Sequence, residues 1–192
     1  MRADQRRVQI MRAAEQLFVN RRYHEITTDD IAAQAGVGKG TIYRYFKNKE
    51  ELFHETAMHG FEELCLLLEN EHHPAEQFSD RLLRASRRIV GFFTSRRRLF
   101  GLMQAEENRL AHRRGRSRKE WRRRRQRLTG ILASMLSDAV EHGELRTDIP
   151  VERQANLLLG MLKTLAREKA ESPDGRDPVA DAVALFLHGA GA

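Results

Sequence analysis

Residues 26–52 read ITTDDIAAQAGVGKGTIYRYFKNKEEL, and their punctuation divides them into three helical pieces. Thr27 or Thr28 offers a hydroxyl to the unpaired amides of a first turn, so a short helix is expected from there through Ala35. Gly36 stops it, because glycine tolerates the left-handed backbone of a helix end. After the tight turn Gly36-Val37-Gly38, a second short helix is expected over Lys39–Phe46. Asn48, with Glu51 three residues on, then has the spacing of a capping box and opens a longer helix. Two short helices joined by a glycine turn form a helix-turn-helix. Ile31, Ala32, Ala35, Val37, Ile42 and Phe46 would close a small core with Leu17 and Phe18. The small side chains of Ala32 and Ala35 let the two helices cross closely.

What the core leaves outside has the chemistry of a DNA contact. On the second short helix and just after it, Lys39, Gly40, Thr41, Tyr43, Arg44, Tyr45 and Lys47 point outward. Lys and Arg donate to guanine edges and phosphates, hydroxyls to phosphates, and aromatic faces touch thymine methyls. Eight helical residues span about 12 Å, similar to the width of the major groove. Gly38 and Gly40 permit close backbone approach, Thr28 joins from the preceding helix, and Lys49 adds its charge to exposed helix-start amides as a phosphate clamp. The run GVGKGT is not a phosphate loop: Gly40 follows the lysine where Ser or Thr is required, and no strand precedes it.

Outward from this segment the chain reads as all-α. Val8, Met11, Ala14, Leu17 and Phe18 make one stripe of a helix over about residues 4–20. Beyond Asn48, helices are expected over about 48–70, 74–94, 99–111 and 117–142, then from Pro150, and last from Asp177 to His188. With the three short ones that makes about nine. Domains are expected at 1–48, the helix-turn-helix, and 49–192, a helical bundle. The chain has 192 residues, 41% hydrophobic and 32% charged, which suits a globular protein whose core needs no staple. One cysteine, Cys65, excludes an internal disulfide framework and any multi-cysteine zinc site. No apolar run approaches the roughly 20 residues of a membrane span, and Met1–Arg12 is polar and basic, so the cytoplasm is the expected compartment. The net charge of +7 is carried by Arg113–Arg127, which holds ten Lys or Arg against one Glu, so overall charge is a poor witness to a nucleic-acid partner. No cofactor is expected, and the eight histidines show no metal-ligand spacing. No nucleophile–base constellation speaks for an enzyme.

Residues 10–52 resemble the DNA-binding region of the TetR family of transcriptional regulators. The resemblance lies in Ile10, Ala13-Ala14, Leu17-Phe18, Tyr23, Ile26-Thr27-Thr28, Ile31-Ala32, Ala35-Gly36-Val37, Lys39-Gly40-Thr41-Ile42-Tyr43, Tyr45-Phe46, Lys49 and Leu52. Arg22, where the family usually has glycine, and Gly38, where it often has serine, depart from the pattern. The resemblance implies a homodimer that places two recognition helices in successive major grooves of a palindromic operator. It also implies dimerisation through the last two helices and a C-terminal small-molecule site. In function it implies a ligand-responsive repressor; a structural or cell-division factor of the same fold is the alternative.

The site would draw on Phe61, Leu64, Ile89, Phe92, Met103, Trp121, Leu128 and Met161, residues of a type that also serve as plain core. Arg125 falls on the stripe of Trp121, Leu128, Leu132, Met135 and Ala139, and so is expected inward, paired with Glu106, Glu107 or an anionic ligand.

Overall fold

The computed structural model describes residues 3–70, 77–101, 116–168 and 175–190. Among them are eight α-helices with both ends described, the start of another over residues 97–101, one 3₁₀ turn and no β-strand. The helices are α1 (Ala3–Asn20), α2 (Thr28–Ala35), α3 (Lys39–Tyr45), α4 (Lys49–Asn70), α5 (Phe78–Ser95), α6 (Arg116–Glu141), α7 (Val151–Arg167) and α8 (Pro178–Ala190). The 3₁₀ turn is Tyr23–Glu25. Of the helix expected over 99–111, the part through 101 is helical and the rest lies outside the described residues, as do Met103, Glu106, Glu107 and the Trp121 side chain.

The chain forms two compact units, residues 1–62 with 96–121, and residues 63–95 with 122–192. The boundary expected at 48/49 therefore falls inside the first unit. The reason is packing: Leu52, Phe53, Ala57 and Met58, all on α4, belong to the same apolar cluster as Ile10, Ala14, Phe18, Ile31, Ile42 and Phe46. Leu99, fully buried, also joins it. Phe18, Tyr23 and Phe53 form an aromatic trio with centroids 5.1–5.8 Å apart, the Phe18–Phe53 pair edge to face. At the rim Arg96 pairs with Glu15, and Arg7 with Glu55 at 3.1 Å.

In the second unit α5 turns Leu82, Ala85, Ile89, Phe92 and Phe93 inward at three- and four-residue steps. It packs on α7 and α8, which also pack on each other. Gly143, at φ 73°, ends α6 in the left-handed conformation that glycine adopts without strain. The buried Gln154 side chain donates to the carbonyls of Arg146 and Ile149 at 3.1 and 2.8 Å, closing the loop before α7 onto its first turn. Arg81–Asp138 and Arg87–Asp177 tie α5 to α6 and to the start of α8.

One expectation fails in this unit. Among the described side chains of α6, Leu128, Leu132, Met135, Leu136 and Ala139 are buried, whereas Arg125, one turn before Leu128, is exposed. Helical phase alone placed it on the stripe. A guanidinium is costly to take out of water, and here it stays in water at the margin of the packed face.

Candidate nucleic-acid interface

The helix-turn-helix is set by its caps. The Thr27 hydroxyl accepts the Asp30 amide at 3.1 Å, and the Asp30 carboxylate accepts the Thr27 amide at 2.8 Å, a reciprocal capping box. The Thr27 amide and hydroxyl, with Arg21 nearby, hold the Asp30 carboxyl below its ordinary value of 3.8. Gly36 closes α2 at φ 62°, ψ 39°, and its amide reaches the carbonyls of Ala32 and Ala33. Gln9 of α1 donates to the Ala35 carbonyl at 2.7 Å, fixing that end of α2. At the start of α4 the Asn48 side chain accepts the Glu51 amide at 2.8 Å, while the Glu51 carboxylate takes the Lys47 amide, one residue before the expected partner.

Held this way, α3 buries Ile42 alone among its seven residues. Lys39, Gly40, Tyr43 and Arg44 are exposed, and Thr41 and Tyr45 are half-buried. Gly38 precedes the helix in extended backbone and is also exposed. A Cβ at Gly38 or Gly40 would meet no atom within 4 Å. The fold therefore does not require glycine at either position, although glycine inside a helix costs about 1 kcal/mol relative to alanine.

The polar groups on this face are linked across the turn. The Thr28 and Tyr43 hydroxyls lie 3.2 Å apart, and the Lys39 ammonium donates to the Asp29 carboxylate at 2.7 Å. That hydrogen bond raises the Lys39 pKa above its ordinary value. The Arg44 guanidinium lies 5.2 Å from the Tyr45 ring centroid. Eight of the nine expected contact residues, Thr28, Gly38, Lys39, Gly40, Thr41, Tyr43, Arg44 and Tyr45, thus lie together on one surface formed by α3 and the start of α2.

Lys49 is placed differently. Its ammonium donates to the carbonyls of Tyr23 and Ile26 at 2.9 and 2.7 Å and sits 4.2 Å from the Tyr23 ring centroid. Partial burial lowers its pKa. Neither this clasp nor the Asp29–Lys39 pair was expected. Both join residues ten or more apart, beyond the reach of helical periodicity.

The expected ligand residues are mainly core. In the first unit Phe61 is buried, with its ring 6.5 Å from that of Phe100. In the second, Leu64, Ile89, Phe92 and Leu128 are buried and Met161 is half-buried. Among the described residues no group of three or more His, Cys, Asp or Glu could hold a metal ion, and no helix is long and apolar enough to cross a membrane.

Residues 10–56 match the family model of bacterial regulatory proteins, tetR family. Residues 75–167 match that of a tetracyclin repressor-like C-terminal domain. The chain is 39% identical over 83 residues to the uncharacterized HTH-type transcriptional regulator YhgD of Bacillus subtilis, a stretch covering 43% of this chain and 44% of that one. It is 49% identical over 45 residues to the fatty acid metabolism regulator protein of the same organism, 23% of each chain. The chain thus spans less than half the length of either relative. In three dimensions it is similar to FadR of Bacillus subtilis, solved in complex with stearoyl-CoA, with a TM-score of 0.73, 22% identity and coverage of 95% of this chain and 98% of that one. At that identity the likeness concerns the fold. Two family models lying end to end over most of the sequence, on an all-helical chain that begins with a helix-turn-helix, identify it: the chain belongs to the tetR family of bacterial regulatory proteins.

Proposed function

We propose that this chain is a ligand-responsive transcriptional repressor, released from a palindromic operator when a small molecule binds its C-terminal domain. The observation that carries the reading is α3: Ile42 is buried and Tyr45 packs against the core, while Lys39, Gly40, Tyr43 and Arg44 present donors, a hydroxyl and an aromatic face to solvent. The DNA-contacting set is Thr28, Gly38, Lys39, Gly40, Thr41, Tyr43, Arg44 and Tyr45, and the functional division lies near residue 48. One helix this short reads only a few base pairs, so two copies on half-sites about 34 Å apart supply the specificity.

The homodimer forms through α7 and α8. Leu157 and Leu185 support that seam, since they stand 58% and 68% exposed on helices that also carry the buried Leu158, Leu162, Val183 and Phe186. The effector enters the second unit beside Ile89, Phe92, Leu128 and Met161, and ligand shifts the population toward a dimer whose reading helices are wrongly spaced. The protein acts in the cytoplasm and catalyses no reaction.

The test is a selection from random duplexes with the purified protein. A palindrome bound by two protomers is the expected result, with Tyr43→Ala abolishing the enrichment. A pool that stays random, or an enrichment that Tyr43→Ala leaves intact, overturns the reading. Stearoyl-CoA, bound in the FadR structure, is the first compound to try for release of the selected duplex.

A further inference from the structure

Lys49 opens α4, where a cation near exposed helix amides suggests a phosphate contact, yet its ammonium is already engaged inside the chain. The Tyr23 carbonyl lies at 2.9 Å, the Ile26 carbonyl at 2.7 Å and the Tyr23 ring centroid at 4.2 Å. An ammonium has three protons, and two are committed to these carbonyls. The carbonyls matter because of where they stand. Tyr23 begins the 3₁₀ turn, and Ile26 ends it in extended backbone. The next residue, Thr27, caps α2, and Thr28 carries the hydroxyl beside Tyr43.

The turn is also held by its own backbone and by packing, with Ile26 buried in the core cluster. Its own bonds are Glu25 N–H to the Arg22 carbonyl at 3.0 Å and Ile26 N–H to the Tyr23 carbonyl at 3.3 Å. Arg21 adds a bond to the Glu25 carbonyl from the exposed side. Below it Tyr23 packs on Phe18 and Phe53, and Phe53 lies one helical turn after Lys49 on α4. Above this packing, the Lys49 ammonium ties two backbone carbonyls of the chain entering α2 to the first turn of α4.

We propose that Lys49 is a positioning residue for operator binding: it clasps the Tyr23–Ile26 turn to α4 and so sets where α2 and α3 stand, without contacting a phosphate itself. The proposal rests on the DNA-binding reading above but can fail separately from it. The two roles predict different salt dependence. A lysine that neutralises a phosphate contributes about 0.9 to the slope of log K against log salt. Its loss flattens the slope by that much per protomer and weakens binding about equally on every sequence. A clasp contributes nothing to the slope. Its loss misplaces the reading helix, so it weakens the selected operator more than a random duplex.

The experiment compares wild type, Lys49→Met and Lys49→Arg on the duplex selected by the wild-type protein and on a random duplex, from 50 to 300 mM KCl. Lys49→Met is expected to lose tenfold or more on the selected duplex and under threefold on the random one, with the slope unchanged. Lys49→Arg, which can still donate to both carbonyls and lie against Tyr23, is expected to recover most of the loss. Should Lys49→Met unfold, Tyr23→Leu removes the ring and keeps both carbonyls; it is expected to give a smaller loss with the same slope. A slope flatter by about 0.9 per protomer with equal losses on both duplexes, or binding unchanged in Lys49→Met, overturns the proposal. If the wild type selects no sequence, the DNA-binding reading fails first.

Discussion

Helix α3 in the first unit commits one side chain of seven to the core, and α7 in the second commits six of seventeen. What each helix leaves outside differs in kind. Around Ile42 stand Lys39, Thr41, Tyr43 and Arg44, held in mutual register by the Thr28–Tyr43 and Asp29–Lys39 contacts. Around the Leu158, Leu159 and Leu162 stripe of α7 stand charged residues and one exposed leucine, Leu157. In the first unit the proposed DNA contacts, apart from half-buried Tyr45, are not the residues that hold the fold. In the second, the proposed effector contacts Ile89, Phe92 and Leu128 are also the packing. Substitution separates the two roles in one unit and confounds them in the other.

The largest effect is therefore expected in the second unit. Ile89→Ala removes a fully buried side chain from α5 and is expected to cost about 2–5 kcal/mol of stability, read from urea denaturation. Operator affinity of the folded fraction should be unchanged. A cost below about 1 kcal/mol would mean that Ile89 already borders open space. That result would sharpen its assignment as a wall of the effector site and weaken the contrast between the units. In the first unit the balance inverts. Arg44→Ala is expected to lose about 1–3 kcal/mol of operator affinity and to shift unfolding by no more than about 0.5 kcal/mol, since the side chain is exposed. A matching loss of stability would show that its stacking on Tyr45 is structural and would erase the distinction.

The same contrast explains what could be read before the structure. Local rules sufficed for the helix-turn-helix, because Thr27, Gly36 and Asn48 act on backbone within four residues of themselves. The outward face of α3 followed from a period of 3.6 and one buried isoleucine. Helical phase also found Leu128, Leu132, Met135 and Ala139 on α6, but it could not tell where the packed face ends, and so it carried Arg125 inward. The Lys49 clasp spans 26 and 23 residues to its carbonyls, and no repeat along the chain encodes such a contact. The division into compact units differs from the expected functional one for a related reason. Leu52, Phe53 and Ala57 look like the start of a new amphipathic helix, and only the packing shows that they complete the first core.

A smaller effect tests whether the caps of the first unit act locally. The Asp30 carboxyl has its pKa lowered in the folded chain by the Thr27 bonds. Its contribution is therefore complete above the ordinary value of 3.8 and disappears as pH falls from there through the lower folded value. Asp30→Asn should be less stable than wild type near neutral pH, and the gap between their urea midpoints should close below pH 3.8 as wild type protonates. A gap that persists in acid would mean that Asn fails for reasons of shape, and that the charge on Asp30 contributes nothing to the cap.

Arg125 on α6 carries the smallest expected effect and bears most directly on the second unit. Were it an inward arginine paired with an acid or waiting for an anion, its removal would cost several kcal/mol or abolish the effector response. It is exposed, and the contact it supplies to its own helix is through its backbone carbonyl, which accepts the Thr129 hydroxyl at 3.0 Å and survives any side-chain change. Arg125→Ala is therefore expected to move the unfolding free energy by no more than about 0.5 kcal/mol and to leave operator affinity alone. Loss of more than about 2 kcal/mol would restore the buried pair that helical phase suggested. A changed effector response at unchanged stability would be more informative, because it would give the second unit a residue whose function is separable from its packing, the part proposed for Arg44 in the first.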